Sequence, residues 1–367
     1  MDRALYIHVP FCKSKCLYCD FCSYSGSENL MMDYSISLAE EIKSIGDCRI
    51  KTIFIGGGTP TYLPLECLKV IDKSIKKLNK DKDIEFTIEG NPGTFSFEKL
   101  EFLRAMGANR LSIGLQASQN HILKTLGRIH SFEEFLEGFK MARKAGFQNI
   151  NVDLMFGIPG QTMSQWKETL RLVVELEPEH ISAYSLIIEE GTVFFKEYNE
   201  GNLLIPEENL ERDMYNYAKN YLKEKGYIHY EISNFSKPGK ECRHNLVYWD
   251  LEEYFGCGVG AHSYINSERV SNESSIEGYI NGNIHKETHI NNLKDDMEEF
   301  MFMGLRKTDG ISIDKFNKRF KIDINEVYGK VIDKYMKMGL LIKEYGNIRL
   351  SDKGIEVSNS VMCEFIF

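Results

Sequence analysis

Short apolar segments alternate with longer segments of helical periodicity over the first half of the chain. Each short segment is nearly continuous in branched and aromatic side chains, as is typical of parallel strands covered by helices on both faces. The longer segments repeat apolar positions three or four residues apart, which indicates helices with one buried face. The pattern predicts strands at residues 5–9, 52–55, 84–89, 110–115, 151–156 and 181–186, and helices at 30–45, 65–78, 97–106, 132–145 and 163–176.

Six strand–helix units in succession predict a parallel sheet with right-handed crossovers. Six units are fewer than the eight that close a complete barrel. We therefore predict an α/β protein built on a partial (β/α)6 TIM-like barrel, with a doubly wound sheet as the alternative. In either architecture, a functional site is expected at the C-terminal ends of the strands.

The alternation stops near residue 226, which predicts three regions. Residues 1–226 form the barrel core, and residues 227–294, rich in Tyr, Asn and Gly, are predicted to be an irregular connection. Helical periodicity returns at 297–305, 313–320 and 326–338, and a hairpin is predicted at 340–350. Three helices followed by a hairpin resemble a winged helix, so residues 295–367 are predicted to be an α+β winged-helix-like domain.

Composition and charge narrow the classes of function. The chain has 367 residues, of which 43% are hydrophobic, and its net charge is −9, which provides no basic field for nucleic acid. Residues 295–367 carry 12 Lys and Arg against 13 Asp and Glu, so a docking role is favoured over DNA binding there. There is no apolar run of membrane-spanning length and no secretory signal pattern, which predicts a cytoplasmic protein. Peripheral contact with a membrane protein is left open.

Three cysteines follow the first predicted strand with the spacing C-x3-C-x2-C: Cys12, Cys16 and Cys19. Three thiolates can hold three corners of an iron–sulfur cube, which leaves the fourth iron free to bind a small molecule. A structural zinc site would need a fourth ligand such as His8 or Cys22, and zinc ligands usually come as two separated pairs. Disulfides are not expected in a reducing compartment. The spacing therefore favours a [4Fe–4S] cluster.

Small or polar residues follow the later strands. Glycines allow a ligand to approach the backbone closely. The guanidinium group of an arginine suits a carboxylate. An acidic side chain within an apolar strand needs a partner or a ligand, because burying it unpaired is unfavourable. A tight turn, a loop acid or a surface arginine would explain most of these positions individually. Together they offer donors for a carboxylate and acceptors for an ammonium and a ribose, which suits S-adenosylmethionine (SAM). The residues are Gly57, Gly58, Thr59, Glu89, Gln116, Arg128 and Asp153.

The cysteine motif, with Tyr18 before its last cysteine, resembles the radical SAM superfamily. The runs YIHVPFC, GGGTPT and VDLMFGIPGQT are similar to the oxygen-independent coproporphyrinogen III oxidase family, and the similarity covers about residues 4–360. This resemblance implies a [4Fe–4S] cluster on the three cysteines. When bound together, the cluster and SAM supply radical chemistry. The implied SAM contacts are Tyr6, Gly57, Gly58, Thr59, Glu89, Gln116, Arg128 and Asp153.

The family has an oxidase branch, which decarboxylates two propionates of coproporphyrinogen, and a heme-chaperone branch. Phe21 occupies the position where the oxidase motif continues with a further cysteine, and Cys22 is one residue too late to match it. The first strand begins about four residues into the chain, whereas the oxidase has an N-terminal extension. The run HNLVYW, from His244 to Trp249, matches the H-N-x-x-Y-W signature of the chaperone branch.

The resemblance implies that His244 holds heme, because a neutral imidazole is a good axial ligand for heme iron. Tyr248 and Trp249 could lie against the porphyrin face. A structural histidine among core aromatics is the alternative interpretation, and His262 is a further candidate ligand.

The leading hypothesis is a heme chaperone that passes heme to an acceptor hemoprotein, for example a respiratory-chain cytochrome. The cluster and SAM would then control heme binding, homodimer formation or release. Oxidase activity is the alternative function. A radical enzyme with another substrate, such as a methylase, is a third class, and a DNA-binding regulator is disfavoured by charge.

Overall fold

The computed structural model describes residues 2–366 and confirms the predicted α/β core. All six predicted strands and all five predicted helices of the barrel region are present, and one short additional helix, α4, lies between the third and fourth predicted helices. The strands are β1 (Asp2–Val9), β2 (Arg49–Gly57), β3 (Lys80–Gly90), β4 (Arg110–Gln116), β5 (Ile150–Phe156) and β6 (His180–Ser185). The helices are α1 (Met31–Ser44), α2 (Leu65–Ile75), α3 (Phe97–Met106), α4 (Asn120–Thr125), α5 (Phe132–Lys144) and α6 (Met163–Val174).

The strands β1 to β6 are neighbours in chain order, and each pair is parallel. Side chains on one face of these strands pack under the helices, as Ile53 and Ile55 of β2 do in the main hydrophobic core.

Two of the helices begin or end with common capping motifs. Ser131 and Glu134 form a capping box at the start of α5, and Gly107 ends α3 with a left-handed φ of 111°.

The segment predicted as an irregular connection contains six short strands. They extend the sheet on both sides, so that residues 2–366 contain a 12-stranded sheet in the order β12-β11-β10-β9-β1-β2-β3-β4-β5-β6-β8-β7. Strands of three to six residues are too short for a clear alternation to show in the sequence. After β6, the elements are α7 (Val193–Asn199), α8 (Glu208–Glu224), β7 (Ile228–Glu231), β8 (Asn234–Ser236), α9 (Arg243–Trp249), β9 (Tyr254–Cys257), β10 (His262–Ile265), β11 (Glu268–Asn272), α10 (Ile276–Ile280) and β12 (His285–Ile290).

The C-terminal part has its own hydrophobic core, in which Phe316 and Tyr328 are fully buried. The three predicted helices and the hairpin are present, and a two-residue strand joins the hairpin to make a three-stranded sheet. The exact division into domains at residues 226 and 294 stays a prediction. The elements are α11 (Leu293–Gly304), β13 (Ile311–Ser312), α12 (Ile313–Phe320), α13 (Ile324–Lys337), β14 (Leu341–Glu344), β15 (Asn347–Leu350), α14 (Asp352–Glu356) and α15 (Ser358–Cys363).

Among the helices of residues 2–366, none has both the length and the apolar character required to cross a bilayer.

Candidate functional site

A cavity of about 460 Å³ lies at the C-terminal ends of the barrel strands, and we call it the mouth cavity. Ten of the twelve residues proposed from the sequence line it, which is the position expected for a site in a parallel α/β fold. Tyr6 and His244 are outside its lining. The ten residues are Cys12, Cys16, Cys19, Gly57, Gly58, Thr59, Glu89, Gln116, Arg128 and Asp153.

The cysteine loop is held against its surroundings by backbone hydrogen bonds. The Cys12 N–H donates to the Tyr24 carbonyl at 2.9 Å, and the Tyr24 N–H donates to the Pro10 carbonyl at 2.7 Å. The Leu17 N–H donates to the Leu126 carbonyl at 3.1 Å, which ties the loop to the end of α4. These hydrogen bonds tie the cysteine loop to the segment around Tyr24 and to the end of α4.

The three cysteines are half-buried, and their thiols lie near one another. Burial raises the pKa of the Cys12 thiol, and the neighbouring Cys19 and Cys16 raise it further. Burial also raises the pKa of the Cys19 thiol. Ionising the Cys12 and Cys19 thiols is therefore unfavourable unless a cation is bound beside them, because metals bind thiolates.

Within residues 2–366, no three His, Cys, Asp or Glu side chains converge on one point that would hold a single metal ion. The ligands of a cubane cluster bind separate iron atoms, so they surround the cluster and need not meet at a point. Three half-buried thiols on one wall of the mouth cavity fit that requirement.

The glycine turn at the end of β2 packs directly on the cysteine loop. The Gly58 N–H donates to the Val9 carbonyl at 2.8 Å, and the Thr59 N–H donates to the Phe11 carbonyl at 2.8 Å. A Cβ on Gly58 would lie 2.8 Å from the Phe11 oxygen, and a Cβ on Gly57, whose φ is +107°, would overlap the ring of His8. These two positions therefore require glycine for the turn and the loop to meet.

The carboxyl groups of Glu89 and Asp153 are two of those that line the mouth cavity, and both have shifted pKa values. Burial and the neighbouring Asp153 raise the pKa of Glu89 to about 8, and the Gly57 N–H donates to its carboxyl at 3.3 Å. Burial also raises the pKa of Asp153, although Asn151 donates to it at 2.8 Å and Ser112 at 3.0 Å. In the described part of the chain, Glu89 accepts only the hydrogen bond from Gly57, so its carboxyl group has acceptor capacity to spare. Carboxyl oxygens of this kind suit the ammonium and hydroxyl groups of a ligand.

Arg128 supplies a positive charge beside these carboxyl groups. One guanidinium nitrogen donates to Asn91 Oδ1 at 2.9 Å, another donates to the Tyr18 hydroxyl at 3.1 Å, and Nε is buried without a partner. Asn91 in turn donates to Thr59 Oγ1 at 2.8 Å. Sequence reasoning missed Asn91, although its place directly after β3 beside Glu89 was a usable indication.

Gln116 ends β4 in a strained conformation. Its φ is +73°, a region that non-glycine residues seldom adopt, and the pairing of β4 with β5 shifts by one residue between Gly114 and Gln116. Such strain is typical of functional sites, because the surrounding structure must hold it in place. The sequence contains no indication of it.

Tyr6 and His244 are not among the residues that line the mouth cavity. The Tyr6 hydroxyl is hydrogen-bonded to His8 Nδ1 at 2.9 Å. His244, in α9, is 1% exposed, and both of its ring nitrogens have partners, with Nδ1 2.8 Å from Thr52 Oγ1 and Nε2 2.9 Å from the Tyr248 hydroxyl. A heme ligand needs a free ring nitrogen and space for the porphyrin, so His244 does not fit that role in this arrangement. His262, on β10, is exposed.

The remaining sequence candidates have plain structural positions. Trp249, the last residue of α9, lies under the guanidinium group of Arg306 from the C-terminal part, with 4.5 Å between that group and the ring centroid. Cys22 uses its carbonyl, 2.7 Å from His8 Nε2, to anchor the cysteine loop, and its thiol is 3.5 Å from the Tyr24 hydroxyl. Phe21 is 64% exposed beside the mouth cavity.

Comparison with known proteins agrees with this geometry. The family model of the radical SAM superfamily matches residues 6–173, and the model of the HemN C-terminal domain matches residues 291–357. The solved structure of coproporphyrinogen III oxidase (HemN) from Escherichia coli superposes with a TM-score of 0.86 over 99% of this chain and 89% of that one, at 22% identity. The likeness confirms the shared fold. Fold and site together therefore define a radical SAM protein.

Relatives of higher identity specify the family. Heme chaperone HemW of Bacillus subtilis is 38% identical over 99% of both chains, and heme chaperone HemW of Lactococcus lactis is 38% identical over 99% of this chain and 97% of its own. A mouse protein, radical S-adenosyl methionine domain-containing protein 1, mitochondrial, is 30% identical over 98% of this chain and 86% of its own. The chain belongs to the heme chaperone HemW family.

Proposed function

We propose that this protein is a heme chaperone that carries a [4Fe–4S] cluster and SAM in its mouth cavity and delivers heme to an acceptor hemoprotein. The observation that carries the proposal is Phe21. This exposed aromatic residue stands where the oxidase motif has a cysteine, in a chain related over its whole length to HemW heme chaperones.

Cys12, Cys16 and Cys19 are the proposed cluster ligands. Their half-buried thiols line one cavity, and a cation among them would offset the mutual repulsion of their thiolates. The loop that carries them is anchored on both sides by backbone hydrogen bonds, so the ligands are largely preorganised.

The other residues of the mouth cavity are the proposed SAM contacts. The glycine turn offers exposed backbone at Gly57 and Gly58, and Glu89 and Asp153 offer acceptors for the ammonium group and the ribose hydroxyls. Arg128 offers a charged donor for the carboxylate. Thr59 and Gln116 complete the proposed set, and Tyr6 would act indirectly, through His8, because it lies outside the cavity lining. SAM and the cluster together supply radical chemistry when bound.

An apolar rim surrounds the entrance to the mouth cavity and supports heme as the cargo. The rim consists of four exposed side chains, Phe21, Ile129, Tyr184 and Ile187, which are 64%, 58%, 39% and 64% exposed. Four large apolar groups around one opening suit a flat apolar macrocycle.

The charged side chains at the entrance are mixed. Lys13 and Lys15 offer ammonium groups to the heme propionates, although Asp20 and Glu189 line the same cavity. The rim therefore supports reversible docking, which is what a chaperone that must release heme requires.

A heme titration of the anaerobically reconstituted protein tests the proposal. Phe21→Ser should weaken heme binding by about fivefold, because roughly 1 kcal/mol of apolar contact is lost, and it should leave SAM binding unchanged. Tyr345→Ser is the matched control, since Tyr345 is 99% exposed at the far hairpin. Wild-type protein that binds no heme would contradict the proposal.

The alternative function is tested in the same preparation. Incubation with coproporphyrinogen III, SAM and a reductant should yield no protoporphyrinogen at catalytic turnover. If turnover is observed, the protein is an oxidase. The acceptor hemoprotein, a homodimer and a cytoplasmic location remain part of the proposal and would be tested by heme transfer to an apo-cytochrome, sedimentation and cell fractionation.

A further inference from the structure

The N-terminal end of the barrel is unusual because its buried interior is polar. Parallel sheets normally bury apolar side chains there. Here Thr52, Glu85, Arg110, Asn151 and His180, one from each strand from β2 to β6, are at most 6% exposed.

Helix α9, which carries the H-N-x-x-Y-W motif, covers these polar groups. The backbone N–H groups of Arg243 and His244 each donate to the Glu85 carboxylate at 3.0 Å. This carboxylate satisfies two donors that the first turn of a helix leaves free, and its charge suits that end of the helix. Nearby, the Cys242 N–H donates to the Tyr230 hydroxyl, which is 2.9 Å from His180 Nε2. We call α9 with Cys242, Tyr230 and Glu85 the barrel floor.

His244 is the contact between the barrel floor and β2. Burial, and then the charges of Arg110 and Lys51, lower the pKa of His244 to about 3, so the ring is neutral. A neutral imidazole has one nitrogen that donates a hydrogen bond and one that accepts. Thr52 is hydrogen-bonded to one of these nitrogens and Tyr248 to the other. The ring is therefore held in one orientation.

A column of rings connects His244 to the site. The centroid of His244 is 5.2 Å from that of Phe54, Phe54 is 6.3 Å from Tyr6, and Tyr6 is 5.9 Å from His8. We call these four residues the aromatic column. It ends at the cysteine loop, because His8 Nε2 lies 2.7 Å from the Cys22 carbonyl.

The glycine turn fits against the same column. A Cβ on Gly56 would lie 2.9 Å from the Phe54 ring and 2.8 Å from Glu89 Oε2, and a Cβ on Gly57 would overlap the His8 ring. A close-packed interior transmits a displacement rather than absorbing it. A shift of His244 would therefore move the glycine turn and the cysteine loop.

We propose that His244 is a positioning residue, which acts through Phe54, Tyr6 and His8 to set the glycine turn and the cysteine loop for SAM. The inference deepens the proposed function and depends on SAM binding in the mouth cavity. It differs from the role of heme ligand that the sequence suggested, because both ring nitrogens already have protein partners.

Two substitutions of the same residue separate the roles. His244→Ala removes the ring and both hydrogen bonds. His244→Gln keeps a donor and an acceptor but is a poor ligand for heme iron. His229→Ala is the control, because His229 is a half-buried histidine whose pKa burial lowers to about 4, and it stacks on Phe235 outside the column.

SAM affinity is measured by equilibrium dialysis of the cluster-loaded proteins, with electron paramagnetic resonance of the reduced cluster before and after SAM addition. We expect His244→Ala to weaken SAM binding about tenfold, within the usual range of coupling between sites, and to reduce the spectral change that SAM produces. His244→Gln should recover most of the affinity, and His229→Ala should match the wild type.

The opposite pattern would overturn the inference. It is wrong if His244→Ala and His244→Gln both bind SAM as the wild type does, and loss of heme binding in both would then assign His244 as the ligand. This outcome differs from a failure of the proposed function. If the proposed function were wrong, the wild-type protein would not bind heme, regardless of how the variants bind SAM.

Two milder variants keep the test valid if His244→Ala does not fold. Thr52→Val and Tyr248→Phe each remove one hydrogen bond of the ring and leave the ring in place. Each should weaken SAM binding by about two- to fivefold. Wild-type SAM affinity in both would overturn the inference.

Discussion

The mouth cavity and the barrel floor lie at opposite ends of the same strands, and both are lined by polar side chains, yet their hydrogen bonding differs. At the floor, both nitrogens of His244 have partners, and the Glu85 carboxylate accepts from two backbone N–H groups. At the mouth, Arg128 Nε has no partner and Gln116 is strained. Two nitrogens at the floor end are exceptions, because Arg110 Nε and Trp249 Nε1 are also buried without a partner.

The difference shows how a ligand site can be told from a structural polar core. Buried polar groups normally find protein partners, because leaving them unpaired is unfavourable. Where partners are missing and a cavity adjoins, a ligand is expected to supply them. The residue types of the H-N-x-x-Y-W motif predict a ligand at His244, but the two ring hydrogen bonds of His244 are those of a structural core.

The largest expected effect is at the mouth, in the cysteines. Replacing Cys12, Cys16 or Cys19 by Ala should abolish the cluster, because two thiolates cannot hold it in place of three. Iron and sulfide analysis after anaerobic reconstitution measures the loss. Cys22→Ala is the control and should retain full iron content, since its thiol contacts Tyr24 and lies outside the cavity lining. Unchanged iron in any of the three variants would exclude that cysteine as a ligand.

Gly57→Ala should be the most destabilising substitution at the glycine turn. It combines a left-handed φ of +107° with an overlap between the new Cβ and the His8 ring, for which we expect about 3 kcal/mol lower free energy of unfolding. Urea unfolding of the apo protein measures it. Gly26→Ala is the matched control, with φ +76° and no atom within 4 Å, and should lose about 1 kcal/mol. Equal losses in the two variants would show that the close contact with His8 is unimportant.

At the floor, Glu85→Ala should lower the free energy of unfolding by about 2 kcal/mol, because two buried backbone N–H groups lose their acceptor. The same urea experiment applies. Glu40→Ala is the control, since Glu40 pairs with Lys43 on the surface of α1 and should change stability by less than about 0.5 kcal/mol. If Glu85→Ala and Glu40→Ala lower the free energy of unfolding equally little, the barrel floor is not a structural core.

The smallest effect concerns the ionisation of Glu89. Its pKa rises from 4.5 to about 8 on folding, so the protonated form is favoured in the folded apo protein. The stability it contributes is full below pH 4.5 and is lost as the pH rises through about 8. Because Glu89 opens onto the cavity, we expect the loss to be about 1 kcal/mol. Unfolding measured from pH 5 to 9 should show this decline relative to Glu89→Gln, and parallel curves would contradict it.

Much of the fold could be predicted because its pattern is local. The six parallel strands are nearly continuous apolar runs, and the helices between them have a clear period, so neither depends on distant contacts. The strands β7 to β12 could not be predicted, because three to six residues carry too little pattern and acquire their pairing from the edges of the existing sheet. The winged-helix-like end was predictable for the same local reason as the barrel helices.

The site was predictable wherever strand order alone determines position. Residues at the C-terminal ends of parallel strands must meet at one edge, and ten of the proposed residues do line the mouth cavity. The positions of Tyr6 and His244 relative to the cavity depend instead on where their side chains point within the barrel, and only tertiary packing determines that direction.

By itself, the sequence determined the parallel core, the cysteine motif and the set of polar residues at the strand ends, because spacing and hydrophobic period are properties of the chain. Only the tertiary structure decided that α9 closes the base of the barrel, that His244 has partners on both nitrogens, and that an aromatic column links it to the glycine turn. Those features depend on contacts between residues up to about 240 positions apart, such as Tyr6 with His244 through Phe54, which no local pattern encodes.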